Sequence, residues 1–83
     1  MEIKFDDRLT QEERRQLLGY NISRIRKQQK KTQQDFAKAF DVSTRTISNW
    51  EHGKGLDIIL LIDIAKFLEC KFDDFIVGTN ISK

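Results

Sequence analysis

Proline is absent from the 83 residues, and no apolar run approaches the roughly 20 residues of a membrane-spanning helix. The longest such run, residues 58–62, is followed at once by Asp63. A membrane location is therefore not expected. The single cysteine, Cys70, excludes an internal disulfide. One histidine and one cysteine do not make a zinc site at sensible spacing, so no metal is expected. Cys70 falls among Leu68, Phe72 and Phe75, the setting of a buried small hydrophobe rather than a reactive thiol. The first residues, MEIKFDDR, lack the basic start and apolar stretch of a secretory signal, which makes a cytoplasmic protein the expectation. There is no glycine-rich phosphate loop, no nucleophile–base arrangement and no carboxylate pair in an apolar setting. Asp73-Asp74 suits the first turn of a helix, where negative charge complements the dipole. The chain does not read as an enzyme, and neither a cofactor nor a small-molecule ligand is implied.

What the chain does have is 39% apolar and 34% charged residues, a composition that suits one soluble domain with one modest core. The net charge of +2 is small, but it is unevenly spread. Residues 22–54 carry eight cations (Arg24, Arg26, Lys27, Lys30, Lys31, Lys38, Arg45, Lys54) against three anions (Asp35, Asp41, Glu51). Residues 1–21 and 55–83 are each slightly acidic. A polyanionic partner is the natural inference for the middle of the chain.

The same middle stretch is organised as two short helices joined by a turn. Phe36 and Phe40, four apart and beside Ala37, give a helix near residues 33–40 one apolar stripe. Thr32 caps it, with Asp35 three residues on. Asp41-Val42 interrupts it, and Ser43 opens a second helix that Gly53 closes. On that helix Ile47 and Trp50 share the inner face. Arg45, Ser48, Asn49 and His52 point the other way. Arginine forks onto guanine, asparagine onto adenine, and serine or threonine serves several base edges. A helix seated in a DNA major groove needs this donor-rich, carboxylate-poor surface. An ordinary solvated face is the plainer alternative for any one of these residues. The conjunction of short helix, tight turn and capped second helix favours a helix-turn-helix.

These residues carry a family resemblance. Thr32-Gln33, Phe36-Ala37, Phe40, Val42-Ser43, Thr46-Ile47-Ser48, Trp50-Glu51 and Gly53-Lys54 together resemble the helix-turn-helix of phage-repressor-type (Cro/Xre-like) DNA-binding domains. The resemblance covers about residues 18–78. It implies an all-α, compact five-helix, lambda-repressor-like domain with a central helix-turn-helix. Residues 1–17 form an N-terminal arm and helical extension, and residues 79–83 a tail. It also implies roles. Thr44, Arg45, Ser48 and Asn49 match base-contacting positions. Gln33, Ser43, His52 and Lys54 are assigned to backbone phosphates, with His52 as a neutral hydrogen-bond donor. Arg26 and Glu51 match a partly buried ion pair that fixes the reading helix and presents Arg26 to a phosphate. The implied function is a sequence-specific regulator of transcription, most simply a repressor on a palindromic site in double-stranded DNA. The alternative is an antitoxin or adaptor that works through a protein partner.

The chain departs from the family pattern at Lys30-Lys31 and at Asp41, where turns often carry glycine. Toward the N-terminus, Thr10–Glu13 is a capping-box pattern, and Leu18, Ile22 and Ile25 continue a helix to about residue 29. Gly19 weakens its middle, so the segment reads as one helix or as two meeting there. Beyond Asp57 a helix is expected to present Ile58, Leu61, Ile62, Ala65 and Leu68 to the core. Leu60, Ile64 and Phe67 would then form a second, exposed stripe. Related domains pair through this region, so that stripe is the expected homodimer surface; the alternative is that residues 1–17 fold back and cover it with Ile3, Phe5 and Leu9. Residues 72–76 read as a short fifth helix.

Overall fold

A computed structural model describes residues 9–76. Four α-helices follow one another: α1 (Gln11–Gln28), α2 (Gln33–Phe40), α3 (Thr44–Glu51) and α4 (Ile58–Phe67). A 3₁₀ turn at Phe72–Phe75 stands where the sequence suggests a fifth α-helix. The arm at residues 1–8 and the tail from residue 79 lie outside the described residues.

Side chains at each helix start satisfy backbone donors that have no partner within the helix. Thr10 Oγ1 accepts from Glu13 N at 3.0 Å, and Glu13 Oε1 accepts from Thr10 N at 2.8 Å. Thr32 and Asp35 make the same reciprocal box for α2 at 3.0 and 2.9 Å. Ser43 accepts from Thr46 N for α3, and Asp57 from Leu60 N for α4. The helix ends share a second device. Lys30, Asp41, Gly53 and Glu69 all take up the left-handed conformation just past their helices. In each case the next amide reaches back into the helix: Lys31 N to Arg26 O, Val42 N to Ala37 O, Lys54 N to Asn49 O and Cys70 N to Ala65 O.

The core is built around Phe36, which has no exposed surface. Its ring stacks on Phe67 at 5.1 Å between centroids and meets Phe40 and Trp50 at 5.3 and 5.7 Å. Phe40 closes the cluster edge-on against Trp50 and Phe67, both at 5.6 Å. Edge-to-face and offset contacts of this kind are the favoured geometries of aromatic pairs. Ile22, Ile47, Ile64, Leu68 and Phe75 are likewise without exposed surface, and Ile25, Ala37, Leu61 and Ala65 are buried beside them.

This packing corrects the expected facing of α4. Ile64 is fully buried, and Leu60 and Phe67 pack against the core rather than forming an exposed stripe. Conversely Ile58 and Ile62, expected in the core, are exposed. The four-ring cluster decides the rotation: it draws in Phe67, and Ile64, one turn earlier, follows.

α1 is one unbroken helix through Gly19. It is tied to the rest at both ends of its second half. Asn21 is buried and donates from Nδ2 to the Phe75 carbonyl at 2.8 Å, holding the final turn against α1. After α1 ends, Lys31 Nζ donates to the Phe67 carbonyl at 2.9 Å and lies 4.7 Å from the Phe67 ring centre. Gln29 Nε2 donates to the Leu68 carbonyl. Together they cap the carbonyl end of α4, where a cation is favoured.

Candidate nucleic-acid interface

α2, the Asp41-Val42 turn and α3 form a rigid unit because α3 is anchored on its inner face. Ile47 is fully buried and Trp50 is 8% exposed. With 100° between residues, that anchoring turns Arg45 and His52 directly outward, with Ser48 and Asn49 to either side. Thr44, Arg45, Asn49 and His52 are exposed, and Ser48 is half-buried. The outward face of α3 therefore carries a guanidinium, an amide and hydroxyls.

Glu51 lies off this face, and its carboxylate accepts three hydrogen bonds from two side chains. Arg26 Nε donates to Glu51 Oε2 at 2.6 Å and Nη2 to Oε1 at 3.2 Å, a bidentate pair with side chains 8% and 6% exposed. Arg26 Nη1 donates to the Lys31 carbonyl at 2.8 Å. Gln33 Nε2 donates to Glu51 Oε1 at 3.0 Å. One carboxylate thus joins α1, the first turn of α2 and the end of α3. The Arg26 guanidinium is committed to this network and buried, so it is not presented outward to a phosphate. Gln33 keeps its second amide hydrogen for a further acceptor.

The other side chains assigned to phosphates are exposed but differently engaged. Ser43 Oγ accepts from Thr46 N at 3.2 Å and lies 3.1 Å from Thr46 Oγ1, so its first task is the cap. His52 Nδ1 sits 2.7 Å from the Ser48 carbonyl. Against a carbonyl oxygen Nδ1 acts as the donor, so one ring nitrogen of His52 is engaged within α3. Lys54 is exposed immediately after α3.

A shallow groove that the sequence did not single out runs beside α3. Arg26, Lys27, Lys30, Lys31, Gln33 and Thr44 line it. Lys27 and Lys30 are exposed, whereas Lys31 turns its ammonium to α4. Thr44, in the first turn of α3, also lines the groove, so its cations lie next to the polar face of α3. The signal was present as a run of charge. What sequence could not sort was which cations were tied up in the fold.

Two ionisable groups are shifted. Hydrogen bonds from the Thr32 backbone and side chain hold the Asp35 carboxyl below its ordinary range. Burial, with a smaller contribution from Asp74, pushes the Cys70 thiol up, which favours the protonated form over the thiolate. Among the described residues no cluster of three or more His, Cys, Asp or Glu could hold a metal ion. No described helix is long and apolar enough to cross a membrane.

An all-helical scaffold that buries one side of a short second helix and offers its polar side beside a cationic groove is a DNA-binding helix-turn-helix. The helix-turn-helix family profile matches residues 22–75, more than half of the chain, and the protein belongs to this Cro/C1-type family. Among curated proteins, and among solved structures, none matches significantly.

Proposed function

We propose that the protein is a sequence-specific regulator of transcription, a repressor that occludes a promoter by binding an inverted-repeat site as a pair. Arg45, Thr44, Asn49 and Ser48 read base edges. Gln33, Ser43, His52 and Lys54 hold the flanking phosphates, joined by Lys27 and Lys30 in the adjoining groove. The observation that supports this reading is the division of α3: Ile47 and Trp50 are buried while Thr44, Arg45 and Asn49 are exposed. One such helix reads only a few base pairs, and each base contact is worth about 1–3 kcal/mol of discrimination. Genomic selectivity then calls for two half-sites, spaced about 34 Å on one face of the duplex.

Selection of bound sequences from random duplex DNA tests the reading. The expected product is an inverted repeat whose half-site holds a guanine for Arg45 and an adenine for Asn49. Binding should weaken steeply with salt as phosphate counterions are released. Failure to enrich any sequence, with binding insensitive to salt, would rule out the regulatory reading.

A further inference from the structure

Tyr20 is the one exposed aromatic side chain among the described residues, 61% open to solvent and outside the packed core. Its neighbours along the helix say what it stands among. Gln16, Tyr20, Ser23 and Lys27, then Lys30 just past the end of α1, follow at spacings of four, three, four and three. That spacing makes one continuous stripe. Gln16, Tyr20, Lys27 and Lys30 are exposed, Ser23 is half-buried, and no carboxylate interrupts them.

Two ties fix where the stripe lies. Gly19, next to Tyr20, meets Gly53 just past α3. Arg26, next to Lys27, is bonded to Glu51 at the end of α3. Lys27 and Lys30 line the groove that Gln33 and Thr44 complete. Tyr20 stands two turns before Lys27, roughly 10 Å along the axis and about 20° from it around the helix. It therefore shares the side of α1 that borders the groove, displaced toward the N-terminal end of the helix.

We propose that Tyr20 is a further contact to DNA, its hydroxyl donating to a backbone phosphate beyond the one that Lys27 and Lys30 approach. The inference rests on the DNA-binding reading and extends it to a residue outside the span that the family profile matches, 22–75. α1 then lays a row of donors along one strand: ammonium groups at its end, the Ser23 hydroxyl between, and the phenol two turns back. The chemistry suits a polyanion. Tyrosine hydroxyls are among the groups that hold phosphate oxygens. Two χ angles leave the side chain little freedom to lose on binding, and a stripe without carboxylates sets no repulsion against the strand.

Titrations of the full chain test this, on a duplex carrying a selected site and on one of unrelated sequence, across a range of salt. Tyr20→Phe removes only the hydroxyl. It should bind both duplexes about threefold to tenfold more weakly, the effect of one hydrogen bond. Its salt slope should match the wild type, because a neutral hydroxyl releases no counterion. Tyr20→Lys should recover binding and steepen the slope by about one. Both variants should keep the wild-type denaturation midpoint. Wild-type affinity in Tyr20→Phe overturns the proposal, while salt-dependent binding by the wild type in the same experiment upholds the DNA reading. An unchanged slope in Tyr20→Lys overturns it as well. A loss confined to the selected site would put Tyr20 at a base edge, and a loss matched by a lower denaturation midpoint would assign it to the fold; either result overturns the phosphate contact. A wild type whose binding ignores salt fails the DNA reading and this proposal together.

Discussion

Gly19 and Gly53 meet backbone to backbone where α1 crosses the end of α3. A Cβ at Gly19 would stand 2.5 Å from Gly53 N and 2.6 Å from the Glu51 carbonyl oxygen. A Cβ at Gly53 would collide with the Arg15 carbonyl, and its φ of 84° already favours glycine. Substitution of a mid-helix glycine by alanine ordinarily gains about 1 kcal/mol of helix propensity. Here the sign reverses. Gly19→Ala should cost about 1–3 kcal/mol net, the range for overpacking a close contact. Chemical denaturation gives the answer, and a stabilised variant would mean that the two helices do not touch.

The Glu51 network should respond unequally to single and double changes. Glu51→Ala leaves Arg26 buried and uncompensated, at a cost of about 3–5 kcal/mol. Arg26→Met combined with Glu51→Leu removes both charges and should recover most of that loss. Equal destabilisation by the single and double variants would show that the carboxylate's bond to Gln33, rather than the charge pair, dominates.

DNA titrations should separate base contacts from phosphate contacts. Arg45→Ala should lose about 1–3 kcal/mol, confined to one base pair of each half-site. Lys27→Ala should weaken all sequences alike and reduce the salt slope by about one. Interchange of the two patterns would place Lys27 at the bases and Arg45 on the backbone.

Lys30 predicts opposite effects on folding and binding. It occupies the position just after α1 at φ 59°, where glycine is commonest. Lys30→Gly should relieve a left-handed side chain and stabilise the domain by about 0.5–1 kcal/mol. The same change removes a groove cation and should lower DNA affinity. A variant that is both less stable and unaltered in binding would contradict both assignments.

Acid titration should expose the Asp35 cap. Its folded pKa is depressed, so its contribution is complete above the unfolded carboxylate value and fades as pH falls through the folded one. The stability gap between wild type and Asp35→Asn should therefore be widest near neutral pH and shrink in acid. A gap that stayed constant down to strong acid would show that the ionised cap is not the cause.

Much of this was legible from the sequence because cap chemistry is local. Thr10, Thr32, Ser43 and Asp57 each act within three residues of themselves. The inner face of α3 was equally readable, since Ile47 and Trp50 stand against polar neighbours. α4 failed for the opposite reason. Its sequence, IILLIDIAKF, is apolar nearly all round, so periodicity cannot choose a face. The choice is made by Phe36, Phe40 and Trp50, which lie on other helices. Gly19 left one helix or two open in the same way, because its reason for being glycine sits 34 positions away at Gly53. Lys31 counted as a free cation in the charge tally, yet its ammonium is spent on the carbonyl end of α4.

The aromatic cluster has an optical consequence. Trp50 is the sole tryptophan, it belongs to α3, and the rings of Phe36 and Phe40 pack against it, leaving it 8% exposed. Its emission therefore belongs to one helix and one environment. A red shift registers the lifting of α3 from α2 and α4, whereas contact between the opposite face and a ligand leaves the indole undisturbed. The molecule carries its own fluorophore at the hinge between reading and folding, and the seating of its recognition helix can be followed without a label.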